Sequence, residues 1–255
     1  AEKIMKMGSQ YALRLYLGAI VLLTLFFSAG LITIAHTQGA PDGLLVLIGI
    51  LGLLASSQLA LALVNWLVTL FVSPQPLPRM DFSTGIPVQS RTLVVVPTML
   101  THPDSIDNLV EALEVRFLAN QDDNLYFALL TDFRDAPEEI LDEDAPLLQL
   151  AEAGIAALNA KYGTTGKSIF FLFHRPRCWN PQERMWMGYE RKRGKLADLN
   201  ALLRDETHSN AGKRFSSIVG NTACLANVKY VITLDTDTQL PRDVARELVG
   251  AMAHP

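Results

Sequence analysis

Residues 15–72 of this chain contain no Lys or Arg and a single acidic residue, Asp42. Two apolar segments, 11–35 and 44–72, cover almost all of this stretch. At about 1.5 Å per helical residue, each can cross a hydrocarbon core of about 30 Å. Both are longer than the apolar region of a signal peptide, which is about 7–15 residues. The pattern predicts a transmembrane helical hairpin over residues 1–72.

The distribution of basic residues around the two segments predicts their orientation. The loop between the segments has no Lys or Arg, whereas basic residues lie before the first segment and after the second, at Lys3, Lys6, Arg14 and Arg79. Because basic loops stay on the cytoplasmic side, we expect the hairpin loop outside and the rest of the chain in the cytoplasm. The sequence therefore predicts a multi-pass protein of the cytoplasmic membrane, with the lipid bilayer as one partner.

The remainder of the chain has the composition of a soluble domain. From residue 73 onward there are 19 Lys and Arg and 24 Asp and Glu, an acidic balance that argues against a nucleic-acid partner. Residues 73–90 open with three prolines in six residues, which predicts a stiff linker. The two cysteines, Cys178 and Cys224, lack the spacing of a disulfide framework or a zinc site.

From residue 91 onward, apolar β-branched runs alternate with stretches of helical periodicity. This alternation predicts an α/β fold with a mostly parallel sheet and helices on both faces. Ligands of such sheets bind beyond the carboxyl ends of the strands, so residues at those ends are the candidates for a site. Strands are predicted at residues 91–97, 125–130, 168–174 and 228–234, and helices at 104–120, 137–161 and 195–204.

A pair of aspartates follows the last predicted strand. Asp235 and Asp237 are two residues apart, so on an extended chain their side chains face the same side. Two carboxylates in this arrangement suit a hard cation such as Mg²⁺ that also binds a substrate diphosphate. A surface turn with Asx hydrogen bonds would use the same residue types. Their position directly after a buried strand favours the metal–diphosphate interpretation.

Polar residues also follow the first two strands. Asp132 comes after the second strand, where its carboxylate suits a hydrogen bond from a nucleobase, although nearby Asp135 could simply cap the next helix. Thr98 follows the first strand, where backbone groups could approach a base or a ribose. For the aspartates after the second strand, spacing alone leaves nucleobase binding by Asp132 and helix capping by Asp135 equally open.

A long segment between the third strand and the next helix carries seven basic residues and three large aromatic residues between 175 and 195. Lys195 is predicted to open a helix behind a glycine, where the helix dipole favours phosphate. Arg191, Arg193 and Trp179 are weaker candidates for donor or acceptor contacts. A solvated charge run or a patch for lipid headgroups explains the segment equally well. No phosphate-binding or dinucleotide-binding glycine motif is present.

Two stretches resemble a known family. Residues 189–200 (YERKRGKLADLN) and 230–241 (YVITLDTDTQLP) are similar to the bacterial cyclic β-1,2-glucan synthases of glycosyltransferase family 84. These are large inner-membrane proteins that build a glucan from UDP-glucose. The resemblance implies a GT-A-like, Rossmann-like nucleotide-sugar-binding domain, of which residues 91–255 would be the N-terminal half. The growing glucan and the remaining domains of the same polypeptide are then expected partners.

The resemblance also implies roles for single residues. Asp132 would contact the uracil and Lys195 the diphosphate of the donor. Asp235 would lie near the ribose and diphosphate, and Asp237, with Asp235, would hold Mg²⁺ or Mn²⁺. Family members invert the configuration of glucose, which requires a base for the acceptor hydroxyl. That base is expected beyond Pro255, so no catalytic base is predicted within this segment.

Two other functions remain open from the sequence. One is a different processive or lipid-directed glycosyltransferase of related fold, with another sugar or linkage. The other is a non-catalytic membrane scaffold, which would bind no UDP in a metal-dependent way.

Overall fold

The computed structural model describes residues 2–72, 77–163, 167–204 and 214–255, with side chains from residue 11 onward. The chain forms two compact units, Ala1–Pro76 and Leu77–Pro255.

The first unit is a pair of helices, α1 (Glu2–Thr37) and α2 (Asp42–Phe71). Both are long and apolar enough to cross a membrane, and most of their large side chains point away from the pair. The buried face of α2 repeats every four residues and is small, which lets two helices approach closely; its members are Gly52, Ser56, Ala60 and Val64. Tyr16 Oη donates a hydrogen bond to Asn65 Oδ1 across the pair, at 2.8 Å. The prediction of two apolar helices is confirmed.

The second unit is an α/β structure built on a sheet of five strands in the order β6-β3-β2-β1-β7. Strands β1, β2, β3 and β7 are parallel, and β6 is antiparallel to β3. Two further short strands, β4 and β5, form a separate antiparallel hairpin. The strands are β1 (Thr92–Leu100), β2 (Leu125–Phe133), β3 (Phe170–His174), β4 (Cys178–Asn180), β5 (Met185–Met187), β6 (Ser217–Val219) and β7 (Tyr230–Thr233).

Helices cover both faces of this sheet, as predicted. Val94 and Val96 of β1 face one apolar cluster, and Leu93 and Val95 face the other, because side chains alternate along a strand. The first cluster is completed by α3, α4 and α6, and the second by α5. These helices are α3 (Pro103–Ala119), α4 (Asp144–Tyr162), α5 (Arg191–Arg204) and α6 (Val244–Ala253).

Several predicted boundaries differ from the structure. The predicted helix 137–161 begins only at Asp144, because the backbone of Ala136 pairs with that of Trp186 in the hairpin and Leu141 N donates to Asp144 Oδ2. Strand β2 runs to Phe133, three residues further than predicted. The hairpin and β6 were not predicted, since strands of three residues are too short to show a periodicity.

Residues 77–90, predicted as part of the linker, belong to the second unit and pack against the rest of it. Met80 N donates to Gly250 O at 2.9 Å, Arg79 pairs with Glu247, and Ile86 is buried in the core.

Candidate functional site

The strand order brings the predicted site residues of β1, β2 and β7 to one end of the sheet. Thr98 and Asp132 belong to the paired carboxyl halves of β1 and β2, and β7 lies on the other side of β1. Leu234 N donates to Val95 O at 3.0 Å, so the Asp235–Asp237 segment leaves the sheet beside β1. We call this end, at Thr98, Asp132 and Leu234, the carboxyl edge.

Asp132 is the centre of a buried ionic cluster. Its carboxylate accepts Arg175 Nε at 2.9 Å and Arg175 Nη2 at 3.1 Å, and Lys195 Nζ lies 3.0 Å from Oδ2. The three side chains are each only 4% exposed. Arg175 Nη1 also donates to Asp198 of α5 at 2.7 Å. Two carboxylates and two cations therefore meet where the sheet packs against α5, and Arg214 lies 4.0 Å from the second carboxylate, Asp198.

Lys195 lies deeper than predicted. Helix α5 begins at Arg191, so Lys195 lies in its second turn, and its backbone is not at the helix N-terminus as predicted. Its ammonium donates instead to Thr98 O at 2.6 Å and pairs with Asp132. Burial lowers the pKa of Lys195 below its usual value, and the Asp132 carboxylate opposes that shift.

The chain from Met187 to Tyr189 covers Asp132. A Cβ at Gly188 would lie 2.4 Å from Asp132 Oδ2, so only glycine permits this approach. Arg175 Nη2 donates to Tyr189 O at 3.1 Å and so fixes the covering segment to the same cluster. The next residue, Glu190, adopts a left-handed backbone with φ of 49°. A left-handed backbone is strained at a residue other than glycine, and such strained residues cluster at functional sites.

The aspartates after β7 are exposed. Asp235 pairs with Lys192 of α5, whereas Asp237 has no ion-pair or hydrogen-bond partner among the described residues. The backbone between them turns, with Thr238 N donating to Asp235 O at 3.1 Å. Among the described residues no group of three or more His, Cys, Asp or Glu side chains gathers to hold a metal. Within the part of the chain that the structure describes, this position offers a pair of carboxylates, Asp235 and Asp237.

The weaker candidates lie on the surface around the hairpin. Arg191 pairs with Asp135 at 2.8 Å and lies 3.9 Å from Glu183. Arg193 is largely exposed and lies 3.5 Å from Glu190. Trp179 is 49% exposed, and its ring meets that of Trp186 edge-on, with 5.8 Å between the centroids.

Arg175 and Asp198 are parts of this cluster that the sequence analysis did not single out. Arg175 directly follows β3, the neighbour of the strand that carries Asp132. A cation at the end of one strand and a carboxylate at the end of the adjacent parallel strand is the signal that could have found the pair.

A cleft of about 550 Å³ lies at the opposite end of the sheet, lined by residues such as Gly85, Asn124 and Lys167. Its carboxylate Asp122 is already engaged, accepting Arg246 Nε at 3.0 Å and Ile86 N at 2.9 Å. The Asp122 carboxylate of this cleft is therefore held by contacts within the protein.

His174 lies beside the ionic cluster and is completely buried. Its Nδ1 contacts Thr131 Oγ1 at 2.8 Å, and its Nε2 has no hydrogen-bond partner among the described residues. Burial lowers the pKa of His174 to about 4; the carboxylates of Asp132 and Asp144 oppose this shift, and the nearby cations of Lys195 and Arg177 add to it. The imidazole is neutral in the folded protein at neutral pH.

This burial predicts a pH dependence of stability. Between the unfolded pKa of about 6.5 and the folded pKa of about 4, the unfolded chain binds a proton that the folded chain does not. The free energy of unfolding is therefore expected to fall as the pH falls through this window, by up to about 3 kcal/mol. A His174→Asn variant, which keeps a polar group beside Thr131, is expected to lose this slope. Urea unfolding of the detergent-solubilised chain, followed by tryptophan fluorescence, measures it; an unchanged slope in the variant would contradict the assignment.

The chain combines two apolar helices with an α/β unit. Acidic and basic side chains lie at the carboxyl edge of its mostly parallel sheet. The chain is 41% identical over 238 residues to the cyclic β-(1,2)-glucan synthase NdvB of Rhizobium meliloti (strain 1021). The aligned region is 93% of this chain and 8% of that protein, so the chain spans less than a tenth of its relative. No protein-family model matches the chain. The resemblance to a segment of the cyclic β-1,2-glucan synthases is confirmed.

Proposed function

We propose that this chain is the donor-binding segment of a membrane-bound inverting glycosyltransferase that transfers glucose from UDP-glucose to a growing β-1,2-glucan. The observation that carries the proposal is the 41% identity to NdvB over nearly the whole chain. A GT-A-like fold for residues 91–255 is part of the proposal, and the parallel sheet with helices on both faces supports it. The acceptor glucan and further domains of the same polypeptide are proposed partners.

The exposed carboxylates of Asp237 and Asp235 are the proposed ligands of Mg²⁺ or Mn²⁺. Mg²⁺ is often bound through one or two carboxylates, with substrate phosphates and water completing its six ligands. The absence of a third acidic or imidazole group from this position, among the described residues, fits a site that the donor completes. When bound, the cation would neutralise the charge of the departing diphosphate.

The first turn of α5 is the proposed position of the diphosphate. Arg191, Lys192 and Arg193 lie in this turn, which has no acidic residue. Cations at a helix N-terminus interact unfavourably with the positive end of the helix dipole, and an anion bound between them would offset this repulsion. Lys192 already pairs with Asp235, so both groups lie where a diphosphate and a cation would meet.

Asp132 and Lys195 are proposed to contact the uracil and the diphosphate after a rearrangement. Both are buried and paired in this structure, and Gly188 lies against Asp132. We propose that donor binding moves the Met187–Tyr189 segment and exposes them. The carbonyl of Thr98, which now accepts Lys195, would then become available to the nucleoside.

The two apolar helices are proposed to anchor the protein in the inner membrane with the second unit in the cytoplasm, where nucleotide sugars are made. The length of both helices and the basic residues at Lys3, Lys6, Arg14 and Arg79 support this placement.

Label transfer from sugar donors tests the proposal. Membranes from cells that express the complete open reading frame carrying this chain are incubated with labelled UDP-glucose, UDP-galactose or UDP-N-acetylglucosamine, with and without Mg²⁺ or Mn²⁺. We expect incorporation from UDP-glucose alone, dependent on the metal and yielding a β-1,2-linked product. Incorporation from another donor would instead indicate a related processive or lipid-directed transferase, and no incorporation from any donor would favour a non-catalytic scaffold.

A further inference from the structure

Arg116 of α3 is a buried cation that binds the turn carrying the two exposed aspartates. Its Nη2 donates to Thr236 O at 2.8 Å and to Thr238 O at 2.8 Å, and its Nε lies 3.2 Å from Thr238 O. These two carbonyls flank Asp237 on either side. Arg116 is only 5% exposed, and it has no ion-pair partner among the described residues.

Burying the Arg116 charge is costly, so we attribute its position to its contacts with the carbonyls of Thr236 and Thr238. A buried cation without a carboxylate costs several kcal/mol of solvation, and its hydrogen bonds to carbonyl oxygens offset only part of that cost. Burial accordingly lowers the pKa of Arg116 below its usual value. A planar guanidinium can hold two carbonyls in a fixed relative geometry, whereas a lysine ammonium or a single amide constrains the backbone less.

Apart from Arg116, the turn is held by the ion pair of Asp235 with Lys192 and by one backbone hydrogen bond. Asp235, Thr236, Asp237 and Thr238 are all exposed, and within the turn the backbone bond from Thr238 N to Asp235 O closes it. Because Arg116 binds the carbonyls on both sides of Asp237, it fixes the direction in which that carboxylate leaves the backbone.

The neighbouring residue Asn120 provides an internal comparison. It lies one turn further along the helix axis and is also buried, and its amide nitrogen binds the carbonyls of Leu240 and Pro241 at 3.1 and 3.0 Å. Its Oδ1 accepts Ala245 N at 3.0 Å. The neutral amide of Asn120 thus binds the chain beyond the aspartates. The Arg116 cation binds the backbone of the turn that carries them.

We propose that Arg116 is a positioning residue: it pre-organises the Asp235–Thr238 turn so that Asp237 is presented to the divalent cation and the donor diphosphate. The inference rests on the proposed function of Asp237 and adds to it the residue that orients the site. Removing a group that orients a metal ligand typically weakens metal affinity or activity by about 10–100-fold.

The test measures metal binding as well as activity. Full-length protein in detergent is titrated with Mn²⁺ in the presence of UDP, and free Mn²⁺ is followed by electron paramagnetic resonance. We expect Arg116→Met to weaken Mn²⁺ binding by about tenfold or more, with Arg116→Lys intermediate. At saturating Mn²⁺, kcat for glucose transfer by the variant should approach the wild-type value. The apparent KM of the variant for Mn²⁺ should stay above that of the wild type. In the metal-free protein, amide hydrogen exchange within residues 235–238 should be faster in both variants.

The control is Asn120→Ala, which removes buried hydrogen bonds of the same kind from the same helix. It is expected to lower the thermal stability but to leave Mn²⁺ affinity unchanged. If Arg116→Met does not fold, Arg116→Lys keeps the charge and the buried stem and is measured in its place.

The outcomes separate the two proposals. A folded Arg116 variant with wild-type Mn²⁺ affinity and wild-type exchange in the turn would overturn the positioning role alone, as would an equal loss of Mn²⁺ affinity in Asn120→Ala. Wild-type protein that binds no Mn²⁺ in the presence of UDP would overturn the proposed metal site, and the positioning role with it.

Discussion

Replacing Asp132 by Asn is expected to lower the free energy of unfolding by about 3 kcal/mol, because it leaves two buried cations without their shared carboxylate. Arg175 and Lys195 both contact this carboxylate, and neither is open to water. The amide has nearly the same shape, so the loss reports charge and not packing. Urea unfolding of the detergent-solubilised protein at neutral pH measures it.

Two further variants make this prediction specific. Adding Lys195→Met to Asp132→Asn removes one cation together with the carboxylate and should restore part of the lost stability, since Arg175 still pairs with Asp198. Asp135→Asn breaks the more exposed pair with Arg191 near the same edge and should cost less than about 1 kcal/mol. Equal losses from Asp132→Asn and Asp135→Asn would contradict the buried ionic cluster.

Replacing Asp237 by Ala is expected to reduce metal-dependent glucose transfer by at least about a hundredfold while leaving the fold intact. The Asp237 side chain is exposed and has no partner among the described residues, so its removal leaves no cavity and no unpaired group. Transfer from labelled UDP-glucose in membranes, together with thermal unfolding of the same preparations, measures both effects.

Asp123→Ala is the matched control for this substitution. Asp123 is an exposed aspartate just before β2, at the end of the sheet opposite the carboxyl edge, and its carboxylate lies 3.7 Å from the Lys167 ammonium. Its replacement should change neither transfer nor stability. Near-normal transfer by the Asp237 variant, or a comparable loss in the Asp123 variant, would contradict the metal assignment.

The architecture could be predicted because it depends on long apolar patterns. Residues 15–72, in which Asp42 is the one charged residue, form two long apolar helices, and the β-branched run of β1 forms a buried strand, because composition alone favours these outcomes. Boundaries were less predictable where a contact distant in sequence decides them. Helix α4 starts seven residues later than expected because the preceding chain pairs with the hairpin, 50 residues further on.

The candidate site was predictable only in part. The positions of Asp132, Asp235 and Asp237 at one edge of the sheet follow from parallel strand order, which the alternation of elements indicates. The pairing of Asp132 with Arg175 and Lys195 depends on side-chain packing that a linear pattern does not record. Arg116 had no sequence signal, because its partners are backbone carbonyls about 120 residues away.

Amide hydrogen exchange of the full-length protein with and without UDP-glucose and Mn²⁺, in wild type and Asp237→Ala, tests whether the carboxyl edge binds the donor. We expect protection at the carboxyl edge, in the segments around Asp132, Lys195 and Asp237, and loss of that protection in the variant. Protection confined to the cleft at the opposite end of the sheet, around Gly85 and Asn124, or the same protection in both proteins, would contradict it.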